Sequence, residues 1–142
     1  LWFEANDAWI EALDHATASG DWDFAGQIAM RSGAVALFGT DRHAFGDVMA
    51  RVPSAATVDY PELAVAHAVA AYSRSDRGAA DALVARAVGQ LGTLPEPRRA
   101  LATLTLQTIR AAQAHRQGDA LAMRRAATQA RSPYPVPARV RA

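Results

Sequence analysis

Apolar residues recur along this chain at intervals of three and four, and no stretch alternates with the period of two that a half-buried strand requires. Trp9, Ile10, Leu13 and Ala16 or Thr17 share one face of a helix predicted over 8–19. Trp22, Ala25, Ile28, Ala29, Ser32 and Val35 line one side of a second, over 22–38, with Asp23, Gln27 and Arg31 opposite at i, i+4 and i+8. Phe45, Val48, Met49 and Val52 define a short helix over 42–52, which Pro53 stops. Residues 53–60 read as a loop, and Pro61 suits the first position of a helix over 61–74. That helix is apolar nearly all round, so it needs neighbours on more than one side and belongs in the middle of a stack. Leu83, Val84, Ala87, Val88 and Leu91 form the stripe of a helix over 79–91. The longest helix, over 97–117, has two apolar faces, Leu101, Leu104, Thr108, Ala111 and Ala112 on one and Leu106, Ile109 and Gln113 on the other. Neighbours are expected on both. Met123, Ala126, Ala127 and Ala130 mark a last helix over 120–131.

The punctuation between these segments repeats. Gly20 falls where a helix ends and glycine enters the left-handed region at no steric cost, and Asp21 follows as an N-cap. Gly118-Asp119 repeats the pair, and Thr40-Asp41 supplies another cap. Turns recur about every 20 residues, a helix pair about every 40, which is the period of helical-repeat arrays. The expected fold is all-α, with about seven helices in antiparallel pairs stacked as a short right-handed α-solenoid. Residues 1–131 are expected to form a single helical-repeat domain, cut from a longer protein because Leu1 stands where a start methionine would be. Residues 132–142, with Pro133, Pro135 and Pro137, read as an extended tail or linker.

Composition changes this picture in one respect. Alanine makes up roughly a quarter of the chain, which favours helix but gives little apolar area per buried residue. The large anchors, Trp2, Trp9, Trp22, Phe24, Phe38, Phe45 and the Leu, Val and Ile positions, are therefore expected to carry the core. Charge is divided by halves: ten acids and three arginines in residues 1–71, four acids and twelve arginines in residues 72–142, against an overall net charge of +1. Lysine and cysteine are both absent, which excludes a disulfide framework and a thiolate site. No apolar run is long enough to cross a membrane, and the expected location is the cytoplasm.

Candidate chemistry is sparse. His15, His43, His67 and His115 have no i, i+4 partner and no cysteine beside them, so a zinc site is not expected. His15 and His67 lie near apolar stripes and are expected to be packed, each with one hydrogen bond, while His43 faces solvent. No nucleophile, base and orienting acid are evident, and an enzyme is not expected. Arg98-Arg99 and Arg124-Arg125 are the pairs suited to phosphates. The basic half carries only Tyr72 and Tyr134 as aromatics, too few for a stacking platform, so salt bridges to adjacent helices suit these arginines better. If the first helix of each pair lines a concave face, then His67, Tyr72, Gln107, Arg110 and His115 are the candidates for contacting an effector or partner; the alternative is ordinary packing between helices.

One stretch carries a resemblance. Trp2-Phe3-Glu4-Ala5-Asn6-Asp7, then Ala12-Leu13-Asp14-His15-Ala16 and Ala18-Ser19-Gly20-Asp21-Trp22-Asp23-Phe24-Ala25, resemble the region after the ATPase and winged-helix parts of large LuxR-family, MalT-like transcriptional regulators. Met49-Ala50-Arg51-Val52-Pro53 and Tyr60-Pro61-Glu62-Leu63-Ala64 fit the helix end and helix entry that follow in that family. The match covers residues 2–64; beyond it lies only generic tetratricopeptide-like pairing. The resemblance implies a sensor or interaction segment that transmits effector or partner binding between an ATPase module and a DNA-binding domain, with the other domains of the parent protein as partners. A passive scaffold or a stand-alone tetratricopeptide-like adaptor is the alternative. ATP would belong to the parent alone, because the phosphate-binding loop G-x-x-x-x-G-K-[ST] needs a lysine and this chain has none. No cofactor is expected in the segment itself, and DNA would be met only through a domain outside it.

Overall fold

In the computed structural model, residues 8–116 are described, together with Gly118, Leu121 and Arg124. Seven α-helices and no strand occur among them: α1 (Ala8–Ser19), α2 (Trp22–Phe38), α3 (Arg42–Ala50), α4 (Ser54–Asp59), α5 (Pro61–Ser73), α6 (Arg77–Gln90) and α7 (Arg98–Arg116), with a 3-10 turn at Leu91–Thr93 between the last two. The chain divides into two compact units, Leu1–Ile109 and Arg110–Ala142, so that the boundary falls within α7. The helix end expected over 1–5, its cap at Asn6-Asp7 and the proline-rich tail lie outside the described residues, as does the helix expected over 120–131 apart from Leu121 and Arg124, which are helical.

The predicted bounds of α1 and α2 coincide with the observed ones, and those of α3, α5, α6 and α7 agree to within two residues. The difference is at 53–60. A loop was the expectation, yet Ser54–Asp59 forms a helix of six residues that buries Ala56 and Thr57. It is too short for a 3.6-residue period to show in the sequence. Pro53 sits at its N-cap, and Tyr60, restricted by the proline after it, closes it in an extended conformation. Two side chains of α6 pin it: Arg86 Nη1 reaches Thr57 Oγ1 at 3.4 Å and Gln90 Nε2 donates to the Val58 carbonyl at 3.0 Å.

In the first unit α5 is the centre. It packs against α2, α3, α4 and α6, and Leu63, Ala64, Val65, Ala66, Ala68 and Val69 are wholly inaccessible. An alanine-walled helix can be surrounded in this way because its neighbours approach the backbone closely. α1 packs on α2 and α3, and the Trp9 and Phe45 rings meet across α1 and α3 with centroids 5.9 Å apart. The other aromatics do not carry the core as expected. Trp22 is only half-buried, Phe24 is 48% exposed and Phe38 is 75% exposed, while Trp2 lies outside the described residues. Leu13, Leu63, Val65, Val69 and Ile109 are fully buried as expected, and Met30 and Met49, with no more than 1% of their surface accessible, join them.

The same end-of-helix device recurs. After α1, Gly20 (φ +74°) donates to the Thr17 carbonyl and Asp21 N to that of Ala16, and the Asp21 carboxylate accepts from Phe24 N at 3.2 Å. After α5, Ser75 (φ +62°) donates to Tyr72 and Asp76 N to Ala71, and the Asp76 carboxylate accepts from Ala79 N at 3.1 Å. Both are Schellman closures followed at once by an aspartate cap. In the second unit Gly118 (φ +57°) donates to the His115 carbonyl in the first half of the same pattern. The sequence marks a turn over Ser75-Asp76-Arg77-Gly78, but not as a copy of the Gly20-Asp21 device, because serine stands where glycine is expected. Gly20→Ala should cost about 1 kcal/mol in chemical denaturation, since a Cβ is disfavoured at that φ, and Ser75→Gly should cost nothing or stabilise.

Candidate functional site

α7 buries one of its two apolar faces and leaves the other open. Ala102, Leu106 and Ile109 are packed, and the Thr105 methyl lies over Gly33 of α2, 3.9 Å from where a Cβ would stand. On the other face Leu101 is half-buried and Leu104 is 60% exposed. Neighbours were expected on both faces; this one is covered only in part. The open face borders a groove of about 480 Å³ whose α2 wall is Gln27 and Arg31 and whose α7 wall is Pro97, Arg98, Ala100, Leu101 and Leu104.

Glu62 also lines the groove. It lies in the first turn of α5, where the helix N-terminus favours a negative charge, and only 3% of it is accessible. Its carboxylate is met by Arg98 of α7: Nε donates to Oε1 at 2.8 Å, and Nη2 reaches the same oxygen. Arg98 Nη2 donates in addition to Asp23 Oδ1 of α2 at 2.7 Å, and Gln27 Nε2 to Asp23 Oδ2 at 2.9 Å. One guanidinium thus joins three helices. Desolvation works to lower the Arg98 pKa, but the hydrogen bonds and charges of Glu62 and Asp23 outweigh it and hold it above the ordinary arginine value. Glu96 closes the start of α7, accepting from Arg99 Nε at 2.9 Å and from Ala100 N at 3.3 Å. Both members of the Arg98-Arg99 pair are therefore engaged by carboxylates, as salt-bridge partners rather than as free phosphate donors.

Gly26 makes room for this arrangement. A Cβ there would stand 3.1 Å from the Glu62 Cβ, and Glu62 cannot swing away while its carboxylate is held by Arg98. Gly26→Ala should therefore destabilise by about 1 kcal/mol or more in urea denaturation, although alanine is the better helix former. A gain in stability would mean that α2 and α5 yield freely.

The five residues proposed from sequence do not converge on this groove. His67 and Tyr72 are on α5, half-buried and buried, and Gln107 is exposed on α7. Arg110 and His115 belong to the second unit, where both are exposed. None of the five lines the groove. The residues that do were visible only as parts of other patterns: Arg98 as half of a basic pair, Glu62 as a helix-entry acid, and Leu101 and Leu104 as one face of α7.

Of the other histidines, His15 is exposed rather than packed, because Ala16 and Thr17 take the buried positions of that turn, and His43 is exposed as expected. His67 Nε2 is buried without a hydrogen-bond partner among the described residues. Burial, and to a lesser extent the charge of Arg74, hold the His67 pKa below its usual 6.5. The unfolded chain then binds the proton first, so stability should be full above pH 6.5 and fall as the pH drops toward the folded-state value. Urea midpoints at about pH 7.5 and about pH 5.5 should differ less in His67→Gln than in the parent chain; an unchanged difference would exclude His67 as the source.

Among the described residues no three metal-ligating side chains gather, and no helix is long and apolar enough to cross a membrane. Fold and site together define an all-α protein with a lined groove between two helices. No family model, no curated protein and no solved structure matches the chain.

Proposed function

We propose that this chain is a non-catalytic regulatory and interaction segment, the helical-repeat part of a cytoplasmic LuxR-type transcriptional regulator. Its antiparallel pairs stack as a short right-handed tetratricopeptide-like solenoid between an ATPase module and a DNA-binding domain. The α2–α7 groove receives an apolar stretch of a neighbouring domain, a protein partner or a small effector. The observation that carries this reading is the open face of α7, with Leu104 60% exposed beside an already formed groove. An occupant that binds one arrangement of the helices better than another shifts the regulator toward it, and its differential affinity sets the size of the shift. The resemblance over residues 2–64 supplies the family.

The scaffold reading draws on a different observation. The polar groups at the groove, Arg98, Glu62, Asp23 and Gln27, are committed to one another and leave few donors to orient a small polar ligand. The experiment is a thermal-shift and pull-down comparison of the chain with Leu104→Arg, an exposed substitution that keeps the fold. An effector at about 100 times its Kd adds about 2.7 kcal/mol; loss of that gain, or of partner capture, in the variant supports the groove. Retention of both in Leu104→Arg overturns it, and no gain with any effector or parent domain leaves the scaffold reading standing.

A further inference from the structure

A second cavity, of about 230 Å³, lies between α3 and the C-terminal end of α5 and shares no lining residue with the α2–α7 groove. Arg42, His43 and Asp47 of α3 and Ser73 and Arg74 at the end of α5 line it, together with Gly46. Residues 42, 43, 46 and 47 stand at i, i+1, i+4 and i+5 and so share one side of α3. Gly46 is buried in mid-helix, and a Cβ there would lie 3.8 Å from Arg74 Nη1, so the guanidinium of α5 rests over α3. Among the described residues neither the Arg42 nor the Arg74 guanidinium has a hydrogen-bond or ion-pair partner, whereas those of Arg51, Arg98 and Arg99 each hold a carboxylate. Asp47 is the single acid of the lining. The Ser73 hydroxyl is spent on the Val69 carbonyl, which leaves the two guanidiniums as the principal donors. Asp41 occupies the N-cap of α3 but makes no capping hydrogen bond, so the first-turn amides beside Arg42 and His43 lack the acceptor that Asp21 and Asp76 provide on α2 and α6. The lining itself sets two guanidiniums against the one carboxylate of Asp47, and guanidinium pairs match the geometry of phosphate oxygens.

We propose that this cavity binds a phosphate group, either free or carried on a phosphorylated side chain, through Arg42 and Arg74. The site is independent of the α2–α7 groove. The test is an amide-resolved nuclear magnetic resonance titration of the full chain with inorganic phosphate at constant ionic strength, with a parallel titration by a phosphoserine peptide. Saturable shifts are expected over residues 42–47 and 73–74. Arg42→Gln and Arg74→Gln, both exposed and checked for folding by circular dichroism, should each weaken binding about tenfold, and Asp47→Asn should tighten it. Tighter binding of the peptide than of phosphate identifies a protein-borne phosphate, and equal binding identifies the free anion; either supports the site. Shifts that do not saturate, affinities unchanged in both glutamine variants, or shifts centred on Arg98 and Arg99 overturn it.

Discussion

Arg98→Ala is expected to lower the stability of the chain by about 3 kcal/mol, read as a drop in urea midpoint at unchanged slope. The reason lies with the partner left behind. Glu62 is almost wholly buried, and the hydrogen bonds described for its carboxylate come from Arg98 alone. Removing the guanidinium strands a charge away from water, and that penalty, more than the attraction lost, sets the size of the effect. Asp23 makes the contrast. Its side chain is 54% accessible and returns to solvent when the pair is broken, so Asp23→Ala should cost less than about 1 kcal/mol. Adding Glu62→Gln to Arg98→Ala should recover part of the loss, since a neutral amide is cheaper to bury than an unpaired carboxylate. A loss under about 1 kcal/mol for Arg98→Ala alone would mean that water reaches Glu62, and the three-helix junction would then contribute little.

Phe45→Ala should be as damaging or more so, about 3–5 kcal/mol. The ring is wholly inaccessible and packed against Trp9. Where the surroundings close only partly over a vacated ring, the cavity that remains adds its cost to the lost transfer energy. Phe38→Ala, at 75% exposure, should change stability by no more than about 0.5 kcal/mol, and the half-buried Trp22 should fall between the two. Equal losses at Phe45 and Phe38 would contradict this ranking of the aromatics. Gly26 matters through the ion pair instead: an added carbon there would press on the Glu62 Cβ, and Arg98 holds that side chain in place.

Six of the seven helices were legible along the chain, and α1 and α2 to the residue. Helix ends are local events. A glycine or proline, an aspartate cap and a 3.6-residue stripe act over a few neighbouring residues, and each leaves its mark in the sequence. The central place of α5 was legible for a related reason, because a helix with no polar face has to be covered all round. α4 was not, being too short to show a period, and the turn over Ser75-Asp76-Arg77-Gly78 was legible as a turn but not as a positive-φ closure, since serine stands there.

Which apolar residues end up inside depended on partners distant in the chain. Periodicity marks a face but not its neighbour. It placed Leu104 and Ile109 on two equivalent faces of α7, and the structure covered only that of Ile109. Likewise it treated Phe24, Phe38 and Phe45 alike, and of the three only Phe45 is buried. The candidate sites belong to the same category. Asp23, Glu62 and Arg98 are 39 and 36 residues apart and meet because α2, α5 and α7 converge. Arg42 and Arg74 flank one cavity because α3 packs on α5. The sequence by itself determined an all-α chain, where most of its helices begin and end, and which helix lies at the centre, since those follow from local backbone and solvation preferences. The choice of buried face, the buried ion pair and the two cavities were decided only by tertiary packing, because each depends on distances between segments that no local pattern encodes.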